Sequence, residues 1–248
     1  MTREPTDPMT SLNLGRHASA GAPSGSPGQH AVKLERSVYS GRVAAVLREA
    51  IVDGSLEAGA PLVEARLAEQ LAVSRGPVRN ALHVLEGEGL VRTRPNGRSV
   101  VVGFSHADLE DLVSVRLELE STALRRGIAA KADTAPIRAA YELVLDEGAS
   151  TQRLVDYDID FHRALMEFSG SRFLTQAWLA LAPVIHTVIT IGNRRMAEAD
   201  PERNFARIIS VHEPLVAAIE AYELRRALRL LGEQFAVTRE MFADSAEG

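Results

Sequence analysis

The chain has 248 residues, no cysteine and a formal net charge of −5 at pH 7. Without thiols there are no disulfides, thiolate metal sites or cysteine nucleophiles, and this length allows one large hydrophobic core or two modest ones. The charge is uneven: residues 31–102 carry 10 Lys/Arg against 8 Asp/Glu, residues 103–248 carry 16 against 23, so the overall acidity does not exclude a polyanionic partner for the first half.

No run of about 18 apolar residues stands out, and no basic stretch followed by an apolar core opens the chain; the expectation is no membrane partner and a cytoplasmic location. Residues 1–30, rich in Gly, Ser, Pro and Ala, read as a disordered tail because they offer too little to bury against the entropy of ordering. Val38, Val43, Val46, Leu47, Ala50 and Ile51 then follow a helical stripe from about Ser37 to Val52, which Asp53-Gly54 ends. Residues 56–61 form a turn-rich connector. A short helix is expected over Glu64–Leu71 with Leu67, Ala68 and Leu71 inward. After the turn at Ala72-Val73, Ser74 suits an N-cap. Pro77 at the third helical position loses no intrahelical bond, and this helix, to about Gly87, turns Val78, Ala81, Leu82 and Leu85 inward. Leu90–Arg94 and Ser99–Val102 flank Pro95-Asn96-Gly97-Arg98, a hairpin signal. Helix, helix, turn, helix and hairpin within about 70 residues make a winged helix-turn-helix.

From Ser105 the pattern is helical only. Ser105 and Asp108 resemble a capping box opening a helix to about Ala130. Further helices are expected from Thr134 to Gly148, from Gln152 to Phe168, from Arg172 to Ala197 with a kink at Pro183, from Ser210 to Tyr222, and from Leu224 to Phe242, with 198–209 ambiguous except that Asp200-Pro201 can cap a short piece. The fold class is therefore mainly α, an N-terminal winged helix-turn-helix plus a C-terminal antiparallel helical bundle. The expected organisation is a tail at 1–30, a DNA-binding domain at 31–102, a linker at 103–104, an effector-binding and dimerisation domain at 105–243, and a flexible end at 244–248.

In such a module the second helix enters the major groove by its N-terminal residues. Here they are Ser74, Arg75, Gly76, Arg79 and Asn80. Arg75 and Arg79, four apart, project from one face and can pair with guanine edges or grip phosphates. Ser74 and the helix N-terminus suit a phosphate. At the wing, Arg92, Arg94 and Arg98 surround the Asn96-Gly97 turn. Taken singly, each arginine is equally an ordinary solubilising residue; their grouping is what points to DNA. Farther on, Asp158 and His162 stand at i and i+4, so both can reach one cavity and, with His212, hold Zn²⁺, Ni²⁺, Mn²⁺ or a similar cation. The plain alternative is a helix-surface pair or a buried polar contact. His186, among Val184, Ile185, Val188 and Ile189, is a further candidate or a packed core histidine. A metal-activated hydrolase and a protein–protein module remain alternatives to a regulator.

Leu67-Ala68-Glu69-Gln70-Leu71-Ala72-Val73-Ser74-Arg75-Gly76-Pro77-Val78-Arg79, with Ala81-Leu82, Leu85-Glu86 and Glu88-Gly89-Leu90-Val91, resembles the helix-turn-helix of the GntR superfamily of bacterial regulators. The resemblance implies that Arg75, Arg79 and the wing-tip pair Asn96 and Gly97 contact operator DNA. Asn80 departs from the usual Glu and bears on base preference. Residues 111–120 and Asp158-Ile159-Asp160-Phe161-His162 with Ser169-Gly170 resemble the FCD ligand-binding domain of the FadR-like branch. That domain commonly holds a divalent metal through an Asp, a His four residues on and two later histidines. The first later histidine matches His212; the second falls at Gln234, whose amide is a weaker donor than imidazole. Arg116 matches an arginine that often lines the effector pocket. The implied effector is therefore a small carboxylate paired with Arg116, His186 and Gln234 being further candidate contacts. The implied protein is a homodimeric, ligand-responsive regulator, a repressor released by a small organic acid, without catalytic residues.

Overall fold

Val43, Ala44, Leu47, Ala50 and Ile51 are buried along helix α1 (Gln29–Val52), while Val38 lies off this stripe and is exposed. The computed structural model describes residues 29–145, 150–199 and 201–243, so the expected tail (but for residues 29–30) and C-terminal end lie outside the described residues. α1 begins eight residues before the expected Ser37. Ala31, Lys33, Leu34, Glu35 and Arg36 are good helix formers, and a helix can extend on propensity where an apolar stripe is missing. The chain divides between Phe104 and Ser105 into two compact units.

The first unit continues with β1 (Pro61–Leu62), α2 (Glu64–Gln70), α3 (Arg75–Gly87), β2 (Val91–Thr93) and β3 (Ser99–Val101). α3 lays Pro77, Val78, Ala81, Leu82 and Leu85 into the core and packs on α1 and α2. Ala72, at φ 52°, makes the sharp turn between α2 and α3. The three strands form an antiparallel sheet in the order β1-β3-β2, with Leu62 opposite Ser99 and Arg92 opposite Val100. β1 lies in the stretch expected to be only a connector; two residues are too few to show alternation, and Pro61 is tolerated because the strand is at an edge. In the wing turn only Gly97 takes positive φ (75°), while Asn96 uses its Oδ1 to accept from the Arg98 amide at 3.1 Å. Arg48 of α1 donates to both oxygens of Glu88, just past α3, at 2.7 Å each, with both side chains nearly buried.

The second unit is all helical: α4 (His106–Ala129), α5 (Ala135–Val144), α6 (Thr151–Phe168), α7 (Arg172–Ala199), α8 (Pro201–Glu220) and α9 (Leu224–Ala243). The capping box forms as expected: the Ser105 hydroxyl accepts from the Asp108 amide at 3.2 Å, and Asp108 accepts from the Ser105 amide at 2.7 Å. α5 ends at Val144, and residues 146–149, where its expected last turn falls, lie outside the described residues. α6 lies between α5 and α7, and α4 packs against both α6 and α9. Ala123, Met166, Trp178 and Ile185 centre one core cluster. α8 runs unbroken through Ser210, so the expected cap there is not used, and Pro214 sits inside the helix. The amide bond lost at proline is offset by packing, for Leu215, Val216, Ala218 and Ile219 are completely buried.

By length and composition one helix passes for a membrane span, contrary to the expectation that none would: Arg172–Arg194 of α7 has a mean hydropathy of 1.5. Its Trp178, Val184, Ile185, Val188 and Ile191 are buried in the bundle, where α7 packs on α4, α6, α8 and α9, while Phe173 and Leu179 are exposed and 33% of the apolar window is buried. Among the described glycines the tightest setting is Gly127 of α4, where an added Cβ would lie 2.1 Å from the ring of buried Phe168. Gly127→Ala is expected to destabilise the bundle by about 1–3 kcal/mol through overpacking, less the roughly 1 kcal/mol that alanine recovers in helix propensity. Differential scanning calorimetry should show a lowered Tm, and Gly127→Ala/Phe168→Leu should regain part of it; an unchanged Tm in the single variant contradicts the close packing.

Candidate DNA-reading surface and candidate metal centre

The amphipathic pattern of α3 decides what its outer face presents. With Val78, Ala81, Leu82 and Leu85 inward, Arg75, Gly76, Arg79, Asn80 and His83 are exposed. Ser74 has the extended backbone of an N-cap (φ −73°, ψ 163°), yet its hydroxyl makes no capping bond. Arg92, Arg94, Asn96, Gly97 and Arg98 of the wing are exposed as well. Glu86 near the end of α3 accepts from the Thr93 amide at 2.8 Å, tying helix to wing.

Sequence spacing does not reveal Glu64. It stands 15 residues before Arg79 in another helix and accepts from the Arg79 Nε and Nη2 at 3.0 and 2.9 Å. The hydrogen bonds from Arg79, with the charges of Arg79 and the nearby Arg75, outweigh the opposing effect of burial and hold the Glu64 carboxyl below its usual range. The guanidinium is thereby fixed in direction while remaining 61% exposed.

In the second unit the i, i+4 spacing on α6 and the position on α8 bring Asp158, His162 and His212 together. One donor atom from each lies within 4.8 Å of the others. Asp158 Oδ1 is 3.1 Å from His212 Nε2 and 3.8 Å from His162 Nε2. Both histidines are 1% exposed. Gln234 of α9 reaches the same point, its Nε2 at 3.2 Å from His162 Nε2 and 2.9 Å from His212 Nε2. Arg116 of α4 is buried beside them: its Nη2 is 3.9 Å from Asp158 Oδ2, its Cζ 4.8 Å from the centre of the Phe235 ring. Burial opposes ionisation of Asp158, but His162, a hydrogen bond from His212 and Arg116 outweigh it and hold the carboxyl well below its usual range. Burial, then Arg116, push His162 downward more than Glu120 and Asp158 raise it. Two imidazole nitrogens with one carboxylate oxygen fit a borderline divalent cation. The cluster can therefore hold one.

His186 makes different contacts. It packs toward α6, 2.9 Å from Asp156 Oδ1 and 3.2 Å from Gln152 Nε2. Glu120, which the sequence reading does not single out, is completely buried among Arg116, His162 and Trp178.

A winged helix-turn-helix followed by a helical bundle with a buried polar cluster defines a DNA-binding regulator with a ligand domain. Residues 39–102 match the gntR family of bacterial regulatory proteins, and residues 111–236 match the FCD domain. The chain belongs to the GntR family and carries an FCD domain, consistent with the FadR-like branch; these are regulator families and not catalytic domains. It is 28% identical over 214 residues to the gluconate operon transcriptional repressor of Bacillus licheniformis, covering 82% of this chain and 84% of that one. It is likewise 28% identical over 205 residues to the Glc operon transcriptional activator of Escherichia coli K12, covering 71% and 81%. Among solved structures, the fold is similar to a GntR regulator from Rhodococcus (TM-score 0.61, 23% identity, 85% of this chain and all of that one). It is also similar to Lar, which controls the agr system of Listeria monocytogenes (TM-score 0.63, 17% identity, 84% and 97%).

Proposed function

We propose that this protein is a homodimeric, cytoplasmic repressor that leaves its operator when a small organic acid enters the helical unit. The observation that carries the reading is the two-sided character of α3, whose buried apolar face leaves Arg75 and Arg79 exposed one turn apart. In this reading Arg75 and Arg79 meet bases or phosphates, Ser74, Gly76 and Asn80 line the helix start, and Arg94, Asn96, Gly97 and Arg98 approach the neighbouring groove. Two copies of the module on one dimer would read half-sites about one helical turn apart, or a multiple of that.

On the sensing side, Arg116 supplies a guanidinium for a carboxylate, next to the ligand set Asp158, His162 and His212, with Gln234 at the fourth position. A divalent cation held there would supply positive charge to an acidic effector. His186, a candidate effector contact by sequence, is paired with Asp156 of α6 and stays a further contact in this reading. The named relatives are a gluconate operon repressor and a Glc operon activator, which supports a small-metabolite effector. Effector and operator are linked because a ligand that favours one state of the dimer lowers DNA affinity reciprocally, and about 1–3 kcal/mol of coupling gives roughly 5- to 150-fold derepression.

Selection of bound fragments from a random DNA pool, repeated with gluconate and other small hydroxy acids, tests the reading. The expected result is a palindromic site whose enrichment falls with one class of acid. No enriched site contradicts DNA recognition; an enriched site indifferent to every acid, with activity on DNA retained, contradicts the effector class.

A further inference from the structure

We infer that Glu120 is the positioning residue of the buried cluster: it fixes the His162 ring with its proton on Nδ1, so that Nε2 faces Asp158 and His212 with its lone pair. The inference deepens the metal reading above and rests on it for its consequence, though not for its geometry. Glu120 is completely buried at the centre of three helices. Its Oε1 accepts from Arg116 Nε at 2.7 Å and from Trp178 Nε1 at 3.3 Å. Guanidinium and indole N–H groups can only donate, so this oxygen is committed as an acceptor by two neighbours. Its Oε2 lies 2.6 Å from His162 Nδ1. A carboxylate facing that nitrogen, with Arg116 beside it, calls for an Nδ1–H donor; the ring, having one proton in its neutral form, then leaves Nε2 bare.

On the far side of the ring the Gln234 amide stands 3.2 Å from His162 Nε2, and Asp158 Oδ1 is 3.8 Å away. Two electron-rich atoms turned toward each other in a buried site favour a cation between them. A carboxylate behind a ligating histidine orients the ring and raises its basicity, and its loss commonly costs 10- to 100-fold in metal affinity. Because Arg116 and His162 share Glu120, a carboxylate drawn to Arg116 acts on the same hydrogen-bonded group that orients the metal ligand. Trp178, the single tryptophan of the chain, donates to that group and so provides its fluorescent probe.

Long-range ¹H–¹⁵N spectra of the histidine rings, recorded on the metal-free full-length protein and on Glu120→Gln, test this directly, together with Zn²⁺ titration against a chromophoric chelator. The wild-type His162 ring is expected as the Nδ1–H tautomer. In Glu120→Gln, whose amide can donate to Nδ1, that tautomer should lose population, Zn²⁺ affinity should fall about 10- to 100-fold, and Trp178 emission should shift. A wild-type ring protonated on Nε2 overturns the inference even if the variant fails to fold. So does a folded Glu120→Gln that keeps both the ring spectrum and the Zn²⁺ affinity, an outcome that leaves the metal reading intact. Wild-type protein that shows the Nδ1–H ring, changed in Glu120→Gln, yet takes up no Zn²⁺ keeps the role of Glu120 and removes the metal reading.

Discussion

The Arg75→Ala/Arg79→Ala double variant is expected to lose operator binding by about 100-fold or more while its unfolding stays close to that of the wild type. Each bidentate arginine contact to a base contributes roughly 1–3 kcal/mol of recognition, and two removed together place the specific affinity near the non-specific level. Stability should hold because both side chains are exposed, and substitutions at such positions usually stay within about 0.5 kcal/mol. The Glu64 tether sharpens the expectation. Arg79 is held by Nε and Nη2, so DNA must either accept the guanidinium in that direction or share it with the carboxylate. Breaking an exposed pair costs little, and Glu64→Gln should leave specific binding present while raising binding to random duplex by a few fold, since a negative charge near the phosphates is gone. Electrophoretic mobility shifts at two salt concentrations read both variants. A double variant that still binds its own upstream DNA at full strength would remove the basis of the regulator reading.

The largest effect on stability is expected at Arg48. Its two hydrogen bonds to Glu88 join α1 to the end of α3 with side chains 9% and 6% exposed. Arg48→Leu leaves the carboxylate nearly buried without its cation, and breaking a pair of this kind costs about 3–5 kcal/mol. The expected result is a first unfolding step at much lower urea, seen as loss of amide protection over residues 39–102, with the α4–α9 bundle unaffected. The Arg48→Leu/Glu88→Leu double variant should be more stable than Arg48→Leu alone, because it removes the orphaned charge along with its partner. Equal stability of both variants would mean that the pair is solvated and structurally minor.

The elements legible in the sequence were those with a period or a cap. The α3 stripe of Val78, Ala81, Leu82 and Leu85 and the Ser105–Asp108 box have local causes, so their place was readable. So was the hairpin around Gly97. What failed had no local signature. β1 is two residues long and exists because β3 offers it hydrogen bonds. α8 starts at Pro201 and runs through Ser210, where a cap was expected, because a serine that can cap a helix has no local mark that keeps it from lying inside a longer one.

The candidate sites divide in the same way. By itself, the order of residues determined that Arg75 and Arg79 share a face and that Asp158 and His162 share another, since both follow from 3.6 residues per turn. Only the packing of α4, α6, α8 and α9 decided that His212, Gln234 and Arg116 meet that pair, and that His186 turns to Asp156 instead. Glu120 acquired its partner 42 residues away through the packing of α4 on α6, and Glu64 its partner 15 residues away through the packing of α2 on α3, because helical periodicity places a side chain on a face but is silent about which other helix that face will meet.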